Sequence, residues 1–308
     1  MAGGQERVLR RRIRSVEATK KITRAFELIA ASQMVRAQGR IAGSRPYVEG
    51  IGRVLAVTAA DSPGGSRLLG SPEAPGRVAV VAIASDRGLC GAYNSTVLRR
   101  TERLLAEGEA QGRSYRLVTV GRRAQSYFRF RGRRIDCALT HVTDRPTFAD
   151  ARRVAHEVVP PFLAGEVDLV ELVSTRFVSA GLQRVEVRQL LPLVPPEGVL
   201  HRDGPPAGFY DFEPGPADLL ELLVPQYAEA EVFQALLEAS ASEHTARQRA
   251  MAAATENAEE FIVNLRRVMN RVRQEAITTE IMEIVGGAEA LRRAAGAERA
   301  VAIPYSEE

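Results

Sequence analysis

The segment AITTEIMEIVGGAEAL, residues 276–291, decides how the rest of the chain is arranged. Its apolar residues recur at the spacing of one face of an α-helix, at Ile277, Ile281, Ile284, Ala288 and Leu291. The same spacing continues upstream, at Ala254, Ala258, Phe261, Leu265, Val268 and Val272. This pattern predicts one long amphipathic helix from about Ala217 to Leu291.

The N-terminal segment carries a matching pattern. Between Gln5 and Ala60, apolar residues recur at helical spacing at Ile22, Phe26, Ala30, Met34, Ala37 and Ile41. Residues 1–60 carry a net charge of +8, from 12 basic and 4 acidic residues, whereas residues 217–308 carry −7, from 9 basic and 16 acidic residues. Because the apolar faces and the charges are both complementary, we predict an antiparallel two-helix coiled coil formed by the chain ends.

The lengths of the two helices predict where their pairing ends. If Ala60 and Ala217 lie at a shared base, the shorter N-terminal helix ends opposite residue 272 or so. The apolar stripe from Ile277 to Leu291, about 20 Å long at 1.5 Å per residue, is then left without a partner in the chain. An exposed stripe of this kind predicts contact with another molecule.

The central segment predicts a different architecture. Its first strand, RVAVVAIAS at Arg77–Ser85, is continuously apolar, which is typical of a strand covered on both faces. Further strands are predicted at Tyr115–Val120, Asp136–His141, Asp168–Phe177 and Gln183–Leu190, and helices at Ser95–Glu109, Arg122–Phe130 and Thr147–Leu163, the last ending near Pro160 and Pro161. We therefore expect a small three-layer α/β domain of the Rossmann-like kind at 61–216, inserted between helical segments 1–60 and 217–308.

The residues that could perform chemistry give weak signals. The turn DRGLCGAYN, Asp86–Asn94, follows a strand and precedes a helix, where phosphate-binding turns occur, but it lacks the glycine spacing of known phosphate motifs. A structural turn is favoured, with Asp86 and Arg87 pairing or capping locally. We expect no catalytic residue, cofactor or metal, because the four histidines and two cysteines are scattered. Two other hypotheses stay open, a nucleotide-dependent enzyme using this turn and a coiled-coil scaffold.

Composition narrows the possible partners. The net charge is only +4 and the basic excess of one helix is balanced by the other, so nucleic-acid binding is not expected. The run Arg10, Arg11, Arg12 and Arg14 is interpreted as a solvated helix face. No signal peptide is recognisable, and no run approaches 18 apolar residues, so insertion into a bilayer is not expected either.

Three separated motifs resemble one family. RRIRSVEATKKITRAFELIAASQMVRAQ at 11–38, SDRGLCGAYN at 85–94 and NRVRQEAITTEIMEIVGGAEAL at 270–291 are similar to the γ subunit of F-type ATP synthase, and SRPY at 44–47 fits the same pattern. The resemblance implies a non-catalytic central rotor shaft inside a ring of α and β subunits. It also implies contacts with an ε subunit and a membrane c-ring, and a peripheral location on the cytoplasmic face of the cell membrane.

The resemblance also assigns expected contact residues. Those for the β subunits are Arg24, Phe26, Arg273 and Gln274, and the unpaired stripe adds Ile277, Ile281 and Ile284 to them. Those for the c-ring, within FYDFEP, are Tyr210, Phe212 and Glu213. The chain departs from the family pattern at Phe26, where Met is usual, at Thr279, where Gln is common, and in a tail, Arg292 to Glu308, beyond the usual end.

Overall fold

The computed structural model describes residues 2–60, 68–70, 72, 74–194 and 212–301. Two long helices, α1 (Ala2–Ala60) and α6 (Pro216–Val301), begin and end the described chain. Between them lie β1 (Arg77–Ile83), α2 (Tyr93–Glu109), β2 (Ser114–Val120), α3 (Arg122–Phe130), β3 (Cys137–Leu139), α4 (Phe148–His156), α5 (Val159–Leu163), β4 (Leu169–Phe177) and β5 (Gln183–Leu191). Contacts divide the chain into two units, one of Met1–Ala25 with Ala252–Glu308 and one of Phe26–Met251.

The first unit is an antiparallel pair of helical segments. Ile13 packs with Ile262 and Leu265 in a small buried cluster. The hydroxyl oxygens of Thr23 and Thr255 lie 2.8 Å apart. Ion pairs flank the apolar contacts, at 2.5 Å between Lys20 and Glu259 and at 2.8 Å between Arg266 and Glu17.

This register agrees with the one predicted from helix lengths. Ala2, where α1 begins, precedes Thr23 by as many residues as separate Thr255 from Ala276, so antiparallel pairing brings the start of α1 opposite Ala276. Residues of α6 beyond that point have no paired segment of α1. The predicted coiled-coil architecture is therefore confirmed, including the end of the pairing.

The prediction of which apolar residues face the partner helix was wrong in part. Phe261 and Val268 are exposed, and Ile262 and Leu265 are buried. Phe261 and Ile262 are neighbours in sequence, and only one of two adjacent helical residues can face the partner helix. Ile262 keeps the coiled-coil spacing with Ala258 and Leu265, so Phe261 points outward. On α1, Ile22 and Phe26 are exposed as well, whereas the predicted Ala30, Ala37 and Ile41 are buried.

The second unit contains a five-stranded sheet in the order β3-β2-β1-β4-β5. Strands β1 to β4 run parallel, and β5 is antiparallel to β4. β1 is central, which explains its lack of polar alternation. One face of the sheet packs on α2 and α3 through Val97 and Phe128. The other packs on α4, α5 and segments of α1 and α6, so the predicted three layers are confirmed.

The predicted helix Thr147–Leu163 is wrong, because the structure divides it into α4 and α5. Thr147 forms a capping box with Asp150, which fixes where α4 begins. Pro160 and Pro161 lie in the first turn of α5, where a missing N–H costs no hydrogen bond, so they start a helix and do not end one.

Candidate partner-binding surface

The turn after β1 is held by the carboxylate of Asp86. One carboxylate oxygen accepts the backbone N–H of Arg122 at 3.0 Å and of His141 at 2.8 Å. The other accepts the backbone N–H groups of Val142 and Thr143, at 2.9 and 3.0 Å, and the Thr143 hydroxyl at 3.1 Å. Burial alone would raise the pKa of Asp86, but these donors lower it below its ordinary value. Asp86 therefore caps the start of α3 and fastens a neighbouring loop.

Helix α6 covers this turn. In open α/β sheets, ligands bind outside the carboxyl ends of the strands, where the strand order reverses. Here that position follows β1, which pairs with β2 on one side and β4 on the other. The guanidinium of Arg247 on α6 donates twice to the carbonyl oxygen of Gly88, at 3.3 Å each. The chain's own helix therefore lies over one side of the crevice in which such folds bind ligands.

Arg87 also acts locally, forming an ion pair with Asp144 at 3.5 Å. The predicted capping and pairing roles of Asp86 and Arg87 agree with these contacts. Within the described residues there is no group of three or more side chains that could hold a metal ion. Nor does any helix in the described ranges have the length and apolarity needed to cross a membrane.

The end of α6 exposes a continuous apolar stripe. Ile281 and Ile284 are 54% and 66% exposed, whereas Ile13 in the paired region of the same unit is 7% exposed. Ile277, Met282, Val285 and Leu291 are exposed as well. Arg273 and Gln274, at the beginning of this segment, are also exposed. The structure thus places five of the predicted β-subunit contact residues on one uncovered stretch of helix.

The other predicted contact residues lie elsewhere. Arg24 and Phe26 are exposed on α1. Phe212 is half-buried and Glu213 is exposed, just before α6 begins. Tyr210 lies outside the described residues.

Sequence reasoning missed a buried charge pair on α6, formed by Glu243 and Arg247. Both lie in a segment of α6 that is rich in alanine. The available signal was the spacing Glu-x-x-x-Arg, but that spacing usually marks an exposed helix pair.

Comparisons with known proteins agree with the motifs. A model of the ATP synthase family matches residues 5–291. The ATP synthase gamma chain of Frankia casuarinae is 47% identical over 292 residues, covering 94% of this chain and 98% of the relative. The ATP synthase gamma chain of Streptomyces avermitilis is 43% identical over 304 residues, covering 96% of this chain and 100% of the relative.

Solved structures share the fold. A chain of the Euglena gracilis mitochondrial ATP synthase, described as OSCP/F1/c-ring, superposes with a TM-score of 0.69 at 18% identity and covers 99% of both chains. A chain from the Tetrahymena thermophila mitochondrial ATP synthase central stalk and c-ring superposes with a TM-score of 0.56 at 24% identity, covering 76% of this chain and 99% of that chain. On the family match and the identities to its relatives, the chain belongs to the ATP synthase gamma-chain family.

Proposed function

We propose that this chain is the central-stalk rotor subunit of a proton-translocating F-type ATP synthase. It is a non-catalytic subunit that transmits torque from a membrane c-ring to catalytic β subunits. The observation that carries this proposal is the apolar stripe of α6, which begins where the pairing with α1 ends. A ring of α and β subunits closed around that stripe would bury it.

The shape of the helix pair suggests how torque reaches the catalytic sites. Two unlike helices present a different surface in each direction, so each β subunit of the ring meets different side chains at any moment. A ligand or partner shifts a conformational equilibrium only by its differential contacts with the states. Turning the shaft therefore changes nucleotide affinity at each β subunit in succession. Ion flow supplies about 2.3 kcal/mol per charge per 100 mV for this rotation.

Specific residues are proposed for the β contacts. Ile277, Ile281 and Ile284 supply apolar area to the ring. Arg273 and Gln274 donate hydrogen bonds to a β-subunit loop, since both side chains are exposed where the stripe begins. Arg24 and Phe26 on α1 face the lever of a β subunit, for which the exposure of both side chains is the support.

The foot of the rotor is proposed at Tyr210, Phe212 and Glu213, which meet the c-ring. Replacing Glu213 by Lys reverses an exposed charge and is expected to reduce ATP-driven proton pumping while ATP hydrolysis by the soluble ring continues. An equal loss of hydrolysis would contradict the assignment. We further propose that the ε subunit binds the same stalk.

The family is part of the membrane-associated sector of ATP synthases. We place this chain on the cytoplasmic face, as a peripheral subunit that reaches the membrane through the c-ring.

The experiment that tests the proposed function is purification from the native membrane. The chain is tagged, washed membranes are stripped with low-salt chelating buffer, and the purified material is assayed for composition and ATP hydrolysis. Co-purification with two larger ATP-binding chains in molar excess, with activity, is expected. Untagged cells are the control. Recovery of the tagged chain alone in the soluble fraction would contradict the proposal.

A further inference from the structure

A polar contact region fastens α6 to the carboxyl end of the sheet. Two connections that follow strands, and the last part of β4, each receive a bond from α6 within the second unit. Arg247 donates to the carbonyl of Gly88, Ser242 donates to the carbonyl of Thr175 at 3.4 Å, and Ser240 donates to the carbonyl of Asp144 at 3.2 Å. The α/β layers and the long helix are therefore joined by hydrogen bonds as well as by apolar packing.

At the centre of this region is the ion pair of Glu243 and Arg247. Glu243 is almost completely buried, and one carboxylate oxygen, Oε1, accepts a bond from the Arg247 guanidinium. The other oxygen, Oε2, is buried without a hydrogen-bond partner among the described residues. An ionised oxygen left in this condition is costly, because it has lost water and gained no donor.

Two hydroxyl groups near Glu243 are in the same condition. The hydroxyls of Tyr93 and Thr175 are buried, and neither has a hydrogen bond of normal geometry in the part of the chain that the structure describes. Burial, followed by the charge of Glu243, raises the pKa of the Tyr93 phenol. Each hydroxyl can both donate and accept a hydrogen bond, and this cluster of buried oxygens lies where α6 meets the sheet.

Burial and the neighbouring charges act on the carboxyl group of Glu243 in opposite directions. Burial raises the pKa of Glu243 to about 7, against the opposing effect of Arg247, and the carboxylates of Asp144 and Asp86 raise it further. His244 does not supply a positive charge, because one ring nitrogen faces the Asp144 carbonyl and the other faces the Arg247 guanidinium. A carbonyl only accepts and a guanidinium only donates, so His244 is neutral. The titratable or charged groups around Glu243 are Asp86, Cys90, Tyr93, Asp144, His244 and Arg247.

We propose that Glu243 and Arg247 are a positioning pair that locks the turn at 86–94 onto α6. Arg247 holds the turn through its two bonds to Gly88, and Glu243 orients the Arg247 guanidinium. The role of this lock in torque transfer rests on the proposed function, because the lock would join the α/β layers to the shaft helix.

Hydrogen exchange in the purified full chain tests the lock directly, read at the amides of residues 86–94. Replacing Arg247 by Met removes both bonds to Gly88, which is expected to raise the opening equilibrium of this segment roughly tenfold or more. Arg249→Met is the matched control, since Arg249 is exposed on the same helix and bonds the Gln183 side chain. Its effect is expected to stay within about twofold. Equal exchange in the two variants would overturn the positioning role.

The coupling role is tested in inverted membrane vesicles that contain the whole complex. Arg247→Met is expected to lower proton pumping per ATP hydrolysed, and Arg249→Met to leave this ratio unchanged. Unchanged coupling in Arg247→Met would overturn the role in torque transfer. If the chain were absent from the ATPase, the proposed function would fail, whereas the exchange data would still decide whether the lock exists.

Discussion

Replacing Asp86 by Asn measures how much the turn after β1 depends on one buried carboxylate. An asparagine can keep the two backbone donors of Arg122 and His141 on its single oxygen. Its amide nitrogen then faces the backbone N–H groups of Val142 and Thr143, which lose their acceptor. Two unsatisfied buried donors, and the loss of charge in the remaining bonds, give an expected destabilisation of about 3 to 5 kcal/mol.

The assay is urea unfolding of the full chain followed by far-UV circular dichroism. Because the pKa of Asp86 lies below its ordinary value of 3.8 in the folded chain, its carboxylate stabilises the fold above that pH. This stabilisation is lost as the pH falls through the folded pKa, so the difference between the two proteins should be full at pH 7 and shrink below about pH 4. Asp144→Asn is the control, because its ion pair with Arg87 is largely exposed and worth less than about 1 kcal/mol. Equal midpoints for the unchanged chain and Asp86→Asn at pH 7 would refute the reasoning.

Three further substitutions test the fold and the exposed stripe. Gly121→Ala would place a methyl group 2.1 Å from the Ala84 carbonyl oxygen, at a φ of +94°, and should lower the free energy of unfolding by about 3 kcal/mol or more. Gly132→Ala, at a φ of +68° in open space, should lower it by only about 1 to 2 kcal/mol. Similar thermal midpoints for the two variants would contradict this. Ile262→Ala should lower the unfolding free energy by about 2 to 5 kcal/mol, because Ile262 is buried against α1. The control Val263→Ala, at an exposed position, should lower it by about 0.5 kcal/mol or less. The reverse order in urea unfolding would show that Ile262 is not the residue that faces α1. Ile284→Ala should leave the free chain's melting unchanged and weaken binding to the αβ ring by about 2 to 5 kcal/mol in a reconstitution titration, so a lower melting temperature of the free chain would show an internal partner.

The sequence was sufficient to predict the large-scale architecture. Helical periodicity at both ends, opposite net charges and the two helix lengths were enough to predict an antiparallel pair and the residue near which pairing ends. These quantities depend on long segments, so an error at one position changes them little. The continuous apolar run at Arg77–Ser85 likewise predicted a strand covered on both faces, and β1 is buried there.

The details that sequence did not predict depend on local competition. Phe261 and Ile262 are both apolar, and only the partner helix decides which of them is buried. Pro160 and Pro161 are compatible with the end of one helix or the first turn of the next, and the capping box of Thr147 does not settle where α4 ends. Glu243 and Arg247 have the spacing of a surface pair. Their burial follows from the position of the sheet beneath them, which no local pattern records.

The candidate partner-binding surface could also be predicted only in part. The exposed stripe from Ile277 to Leu291 could be predicted, because it follows from helix lengths. The roles of Arg24, Phe26, Arg273 and Gln274 come from family resemblance, and they stay predictions, since their contacts would lie on other chains.

The most direct test of a rotor is to observe rotation. The αβ ring is fixed to a surface and a bead is attached through Phe130→Cys, a position 87% exposed on α3. The bead's angle is then recorded during ATP hydrolysis. Continuous turning in one direction, stopping when ATP is removed, is the predicted result. A bead that only fluctuates about one angle while the same complexes hydrolyse ATP would contradict the central claim.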